Sequence, residues 1–504
     1  MDRRARWALI VLVGLAFALR APGLDFQSLW RDEVDAIRFA RAPWTDLLAM
    51  FHQPGQNGPL YFLLLRYWLA LAGDSAFALR FLSTTAGVLA VPMAWRVGSR
   101  LFRTMPAIGL IAACLAAVSP YMVWYSQEGK MYALTVLLAL LSMDLYLQAL
   151  DEGGWQRWAA YVIVASGLLY IHLVAALMIA VQAAILIVQL RRLPIRRRGE
   201  GLAAMAALTL PYLPLLVWQL PELTRGVETG YRFVPLHDML YSLLVNYSLG
   251  VMPLGTEWSL LPFVALLLAV GLGWRQRNGD MRGVGIVVLW LVLPILLFFL
   301  VTLVRPMYTA RYLIFVTPAY WFLLAYGLVQ LGRRSQVLGG VLGISLLVIS
   351  GWGMAQQARV PMKADFRSAT PYVAERLHPS DLVLFQIPYG RYSFDYYYKP
   401  VIQPPAERSG GFVVWLPRVI GGGGVPYRWA EGLYTNGGMA PEEVARRMER
   451  MVEGSSAVWL VATEAELWDE RGLVVDWLET NWTAVERVEF VRVQVVRYEN
   501  SHDE

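Results

Sequence analysis

Two short acidic turns carry the residue types best suited to chemistry. The first, Trp30-Arg31-Asp32-Glu33-Val34-Asp35, sets adjacent carboxylates beside an aromatic and an arginine. The second, Tyr125-Ser126-Gln127-Glu128-Gly129-Lys130-Met131-Tyr132, sets a carboxylate two residues from an ammonium, with tyrosines on both sides. A positioned carboxylate can take a proton from a hydroxyl, and a fixed cation can neutralise an anion. Arg305, Arg311 and His172 add charge or proton-binding capacity at the edges of apolar runs.

Each feature also has a structural explanation. Acids in the first turn of a helix are favoured by the macrodipole, and capping carboxylates are common there. Glu128 and Lys130 read equally well as an ion pair snorkelling at a membrane edge. Arg305 and Arg311 fit ordinary membrane-edge anchoring. A lone intramembrane histidine has functional leanings, yet hydrogen-bonded packing explains His172 as well.

The elements that must position these residues belong to a membrane protein. Of 504 residues, 57% are hydrophobic and 16% charged, against about 25% charged in soluble domains. Apolar runs fall near 7–24, 78–98, 105–125, 131–150, 158–173, 174–190, 201–219, 258–274, 284–303, 312–331 and 336–353. Most approach the roughly 20 residues that a bilayer demands. With the N-terminus cytoplasmic, alternation puts Arg96, Arg100 and Arg103 inside, together with Arg157, Arg191–Arg192, Arg196–Arg198, Arg275, Arg277, Arg282 and Arg333–Arg334. That clustering follows the positive-inside rule and accounts for the net charge of +6 without nucleic acid as a partner. Eleven spans result. Arg3, Arg4 and Arg6 ahead of an apolar stretch with Ala16-Phe17-Ala18 imitate a signal peptide; an uncleaved first span better suits the orientation of the spans that follow. The single cysteine, Cys114, excludes internal disulfides and multi-cysteine metal sites.

The alternation puts both acidic turns outside. Residues 25–77 form the first outside loop. In it, Trp44, Leu47, Leu48 and Phe51 make one apolar stripe, and Val34, Ile37 and Ala40 a shorter one, as interfacial helices do. The stretch from Pro59-Leu60-Tyr61 to Gly73 is apolar but short, and reads as a helix in the outer interface rather than a span. Two acidic turns on one membrane face, both beside aromatics, favour a polar site at the lipid boundary over two unrelated ion pairs.

From Pro361 onward the composition is that of a soluble domain. Helices are expected over Arg367–Leu377 and Pro441–Met451, with strands over Asp381–Gln386, Ala457–Ala462 and Val485–Tyr498, giving a small outside α/β domain over 361–504 behind a membrane domain over 1–355. Gly421-Gly422-Gly423-Gly424 lacks the lysine and the strand-to-helix setting of a phosphate loop and reads as a loop.

The ordered set "LWRDEVDAIRFA", "GPLYFLLLRYWLALAGDSAFALRFLSTTAGVLAVP", "SPYMVWYSQEGKMYAL", "RPMYTARYLIFVTPAY" and "KADFRSATPYV" resembles the protein O-mannosyltransferase-like (dolichyl-phosphate-mannose-protein mannosyltransferase-like) family of C-type membrane glycosyltransferases, to which the lipid A aminoarabinose transferases are related. The chain departs from that family twice. Asn57-Gly58-Pro59 stands where His-Pro-Pro is usual, and Lys130 where arginine is usual; the second change keeps charge but gives up bidentate phosphate geometry.

The resemblance implies an enzyme of the cell membrane. Its donor would be a polyprenyl-phosphate-linked sugar and its acceptor a hydroxyl on a lipid, glycan or protein, with inverting transfer outside the cytoplasm. Asp32 would be the base, with Glu33 a supporting or alternative acid. Glu128 would orient the acceptor or bind a divalent metal, should one be used; no other cofactor is implied. Lys130, Arg305 and Arg311 would bind the phosphate, with Tyr61 and His172 as neighbours of the substrate. A transporter or flippase of lipid-linked saccharides is the rival reading. Transporters place ionisable groups near mid-membrane, whereas these spans hold few acids apart from Asp144, expected near the cytoplasmic end.

Overall fold

A chain that leaves water must satisfy every backbone N–H and C=O internally, and each of the eleven apolar runs contains a helix. The computed structural model describes residues 3–52, 57–224, 231–251, 257–275, 281–402 and 427–500. In chain order the helices begin with α1 (Arg3–Arg20), α2 (Arg31–Arg41), α3 (Trp44–Ala49), α4 (Pro59–Ala72), α5 (Ala76–Leu101), α6 (Ala107–Val118) and α7 (Pro120–Ser126). They continue with α8 (Tyr132–Glu152), α9 (Trp155–Ile171), α10 (Leu177–Gln189), α11 (Ile195–Thr224), α12 (Leu236–Leu249), α13 (Leu261–Arg275), α14 (Met281–Val304), α15 (Thr317–Arg334) and α16 (Gln336–Arg359). The tail adds α17 (Phe366–Ala374), β1 (Leu382–Phe385), α18 (Gly390–Ile402), β2 (Arg428–Glu431), α19 (Pro441–Val452), β3 (Ala457–Ala462), α20 (Leu473–Asn481), β4 (Trp482–Phe490) and β5 (Val493–Asn500).

The chain divides into two compact units. The first is Met1–Leu24 with Pro43–Val360; the second is Asp25–Ala42 with Pro361–Glu504. The segment carrying Asp32 and Glu33 therefore groups with the tail, whereas the sequence divides the chain simply near residue 360.

In the first unit, six described helical stretches are long and apolar enough to cross a membrane: α5, α8, residues 173–192 around α10, α14, residues 310–334 around α15, and α16. The pair α6–α7, bent by 57°, passes the same test together. By themselves α9 and α13, at 17 and 15 residues, are shorter than a usual span, and α1 carries four arginines in its 18 residues. At 14 residues, α4 is a short apolar helix.

Several of the arginines that alternation assigns to one membrane side meet a neighbouring set of acids in this unit. Arg96 and Arg100 reach buried Asp144 at 2.6 and 3.1 Å. Arg103 and Arg282 reach Asp151 at 2.6 and 2.9 Å, and Arg157 reaches Glu152 at 2.7 Å. Arg197 donates to the Asp151 carbonyl.

The second unit is built on a five-stranded sheet in the order β2-β1-β3-β5-β4. β1 runs parallel to β2 and β3, whereas β5 runs antiparallel to both β3 and β4. Both central strands are buried throughout, because each face is covered. Leu382, Leu384, Val458 and Leu460 pack with Val444 and Met448 of α19 and Val474 and Leu478 of α20. Val383, Phe385, Trp459 and Val461 pack with Phe366 and Val373 of α17 and Phe394 of α18. The single strand expected over Val485–Tyr498 is instead a hairpin, which turns at Arg492 in the left-handed region (φ 55°). The alternation of side chains runs through that turn, and this conceals it in the sequence. Gly421–Gly424 lie outside the described residues.

Candidate active site

In the second unit, α2 starts after an extended Trp30 that provides no side-chain cap. Asp32 and Glu33 occupy its first turn rather than the cap position, so the macrodipole favours them but capping does not explain them. Their surroundings differ. Glu33 is fully buried, and Lys363 Nζ donates to its Oε2 at 3.0 Å from a side chain only 7% exposed. The same ammonium lies 6.0 Å from the Trp30 ring centroid. Asp32, about 100° further round the helix, is half-buried. Asp35 is engaged within α2 by Arg38 at 2.8 Å and Arg31 at 3.8 Å.

The rest of segment 25–42 is strapped to the tail. Gln27 Oε1 accepts from the amides of Met362 and Lys363 at 2.9 and 3.0 Å. Arg367 donates to the Asp25 carbonyl at 2.8 Å and to its carboxylate at 3.2 Å. The Leu29 amide donates to Tyr397 Oη at 2.6 Å. Two arginines of α2 stack on tyrosines at the start of α18: Arg31 sits 3.6 Å over Tyr389 and Arg38 sits 3.3 Å over Tyr392. Burial first, and then the Glu464 carboxylate, push the Tyr389 hydroxyl up to about 12.

In the first unit, the other acidic turn is held from three sides. Ser119 ends α6 and caps α7, accepting from the Met122 amide at 3.3 Å. Arg20, fully buried, donates to the carbonyls of Ala116 and Ala117 at 2.8 and 2.7 Å and to Ser126 Oγ at 3.2 Å. Thr84 and Ser83 of α5 donate to the carbonyls of Ser126 and Lys130, both at 2.9 Å. Gly87 leaves room for this arrangement, since a Cβ there would overlap the Ser126 side chain. The result buries Glu128 and Lys130 at 2% and 9% exposure, so neither is a snorkelling side chain.

Around that turn the first unit gathers several of the expected residues. Lys130 Nζ lies 5.8 Å from the Phe62 ring centroid, and buried Tyr61 sits beside Phe62, with ring centroids 5.8 Å apart. The Arg311 guanidinium lies 5.8 Å from the Tyr132 ring centroid. His172 lies between Tyr132 and Tyr312, with centroids 6.0 and 5.8 Å away. Its imidazole is fully buried, and neither ring nitrogen has a hydrogen-bond partner among the described residues. Packing through hydrogen bonds therefore does not account for it. Arg305 is separate: no hydrogen bond, ion pair or ring contact among the described residues ties its side chain to this cluster.

The departure at Asn57-Gly58-Pro59 also belongs here. Asn57 Oδ1 accepts from the Leu173 amide at 3.0 Å, next to His172. Gly58 has φ +89°, and a Cβ on it would lie 2.9 Å from Met131 Cε and 3.0 Å from the Ile171 carbonyl oxygen. Only glycine adopts that backbone at no steric cost. Among the described residues, no group of three His, Cys, Asp or Glu side chains could hold a metal ion. Lys363 has no role in the sequence reading. It lies in the matching string "KADFRSATPYV", but nothing local links it to Glu33, 330 residues earlier.

Residues 53–218 match the dolichyl-phosphate-mannose-protein mannosyltransferase family. No protein of curated function matches by sequence. Solved structures match along the whole chain. ArnT from Cupriavidus metallidurans bound to undecaprenyl phosphate matches at a TM-score of 0.59 and 14% identity, over 97% of this chain and 97% of that one. The apo state of that protein gives 0.60 at 13% identity, over 98% of each chain. The oligosaccharyltransferase AglB from Archaeoglobus fulgidus, in complex with an inhibitory peptide and a dolichol-phosphate, gives 0.54 at 11% identity, over 99% of this chain and 74% of that one. The chain thus shares the fold of ArnT and AglB, and the resemblance read from its motifs is matched by the family over residues 53–218.

Proposed function

We propose that this protein transfers a sugar from a polyprenyl-phosphate donor to an acceptor hydroxyl on the extracytoplasmic side of the cell membrane, with inversion. One observation carries the reading: the fold is shared end to end with a structure bound to undecaprenyl phosphate. The family match, which covers the turn that holds Lys130, supports it.

In the proposed reaction the acceptor oxygen attacks the anomeric carbon while its proton passes to Asp32. The bond from that carbon to the phosphate oxygen breaks, and polyprenyl phosphate leaves with the electron pair. A leaving phosphate needs positive charge more than a proton, and Lys130 and Arg311 are the cations for it, with Arg305 a third candidate. Glu128 orients the acceptor, and Tyr61 and His172 line the substrate's position. Glu33 is the supporting acid, fixed by Lys363. Mannose is the first sugar to test, given the family matched. The tail is assigned to the extracytoplasmic side with Asp32. Transport is the weaker reading, because Asp144, the chief acid within the spans, is held by Arg96 and Arg100.

The test is donor turnover by the purified full-length protein in lipid nanodiscs, offered polyprenyl-phosphate mannose, glucose and aminoarabinose in turn. Release of polyprenyl phosphate is expected with one of them, and Asp32→Asn should slow it by about 10²–10⁴-fold, the usual worth of a general base. No release with any donor would refute the enzyme reading. Unchanged release by Asp32→Asn would refute the base.

A further inference from the structure

α2 is an amphipathic helix whose one buried carboxylate is its least expected feature. Val34, Ile37 and Ala40 bury an apolar stripe, and Glu33 lies buried with them. A carboxylate is retained in such a place only with a partner, and Lys363 supplies it at 3.0 Å from an almost fully buried side chain. The lysine itself is held from behind. Its amide, with that of Met362, donates to Gln27 Oε1, and its ammonium lies against Trp30. A closed circuit therefore runs from Gln27 through residues 362–363 to Glu33 and back along the chain. Its geometric effect is on rotation. The cation–π stacks at Arg31 and Arg38 fix where the helix lies. The ion pair fixes the azimuth of residue 33, and hence the azimuth of residue 32, about 100° away.

We propose that Lys363 is a positioning residue: through its ion pair with Glu33 it sets the rotation of α2 and so the direction of the Asp32 carboxylate. The proposal rests on the reading of Asp32 as the base. It makes the tail part of the catalytic apparatus, because the lysine that orients the base is three residues into the tail's portion of the second unit.

The experiment is a double-mutant cycle on the full-length protein in nanodiscs. Glu33→Gln, Lys363→Met and the double variant are compared for kcat and KM with the donor that wild type turns over, with undecaprenyl phosphate binding and thermal unfolding measured alongside. A positioning role predicts a kcat at least 10-fold lower in each single variant, with KM and undecaprenyl phosphate affinity within about 3-fold of wild type. The double variant should then be no slower than the worse single one, because both substitutions break one pair. Lys363→Arg, which keeps the cation, should recover a large part of kcat.

A loss confined to KM, or effects that multiply in the double variant, would overturn the proposal. Should Lys363→Met fail to fold, the double variant, which removes both charges of the pair, carries the test: a folded double variant with wild-type kcat would overturn it equally. The two readings fail separately. Turnover that survives Asp32→Asn removes the base whatever Lys363 does, while turnover lost in Asp32→Asn but kept in Lys363→Met removes the positioning role alone.

Discussion

Arg20→Ala should loosen the break between α6 and α7, and with it the turn that carries Glu128 and Lys130. The guanidinium donates two short bonds, to the carbonyls of Ala117 and Ala116 at 2.7 and 2.8 Å, and two longer ones, to Ala16 O and Ser126 Oγ, both at 3.2 Å. The Ala116 and Ala117 carbonyls are among the last of α6, which have no partner within the helix. Bonds from a charged donor contribute about 1.5–3 kcal/mol in soluble proteins, but polar contacts between membrane helices average nearer 0.6 kcal/mol. At about 1 kcal/mol for each short bond and about 0.5 for each longer one, the set is worth roughly 3 kcal/mol. Removing a buried cation also removes its desolvation cost, which brings the expected destabilisation to about 2 kcal/mol. The assay is unfolding in mixed micelles, followed by tryptophan fluorescence, alongside undecaprenyl phosphate binding. Both should weaken in Arg20→Ala, and Arg20→Lys, which reaches fewer carbonyls, should fall between. Gly87→Ala should act through the same contact, forcing Ser126 away from Arg20 at the ~1–3 kcal/mol typical of overpacking. Arg20→Ala within about 0.5 kcal/mol of wild type, with binding unchanged, would refute the reasoning; surface substitutions fall in that range.

Restoring the family's residue at position 58 should harm this chain. Gly58→Pro demands φ near −65° where the backbone holds +89°, and thermal unfolding should show a larger loss than for Gly58→Ala, itself expected to cost roughly 2 kcal/mol from left-handed strain and the close Ile171 carbonyl. A Gly58→Pro protein as stable as wild type would contradict the backbone described. The second unit should weaken at high pH. Tyr389 titrates at about 12 in the folded chain, against about 10 unfolded. Below pH 10 both states hold the proton; between 10 and 12 only the folded state does, so stability falls as pH rises through that window. The hydroxyl is only partly buried, so the loss should be roughly 1 kcal/mol after screening, rather than the ~2.7 that two full units would give. Ultraviolet absorbance of tyrosinate in wild type and Tyr389→Phe measures it, and a Tyr389 that ionises near 10 would disprove it.

The sequence by itself determined what depends on neighbours along the chain. Apolar length made the first unit helical, because no other local structure satisfies a backbone in lipid. Unbroken apolar runs marked β1 and β3, and the ordered motifs carried the fold. The clustering of arginines was legible too, since Arg96, Arg100, Arg103, Arg157 and Arg282, far apart in sequence, meet a neighbouring set of acids, Asp144, Asp151 and Glu152. The hairpin at Arg492 was not, because a tight turn can keep the alternation of its strands.

Only the tertiary structure decided what Glu33 pairs with and how deeply each acid is buried. In sequence Asp32 and Glu33 are interchangeable neighbours. In the fold, one faces a buried lysine 330 residues away and the other stays half-buried. It also decided that segment 25–42 belongs with the tail and that His172 is buried without a partner for either nitrogen among the described residues. The physical reason is the same in each case. Hydrophobic length and period are properties of a stretch of chain, whereas pairing and burial are properties of whatever the folded chain brings against it.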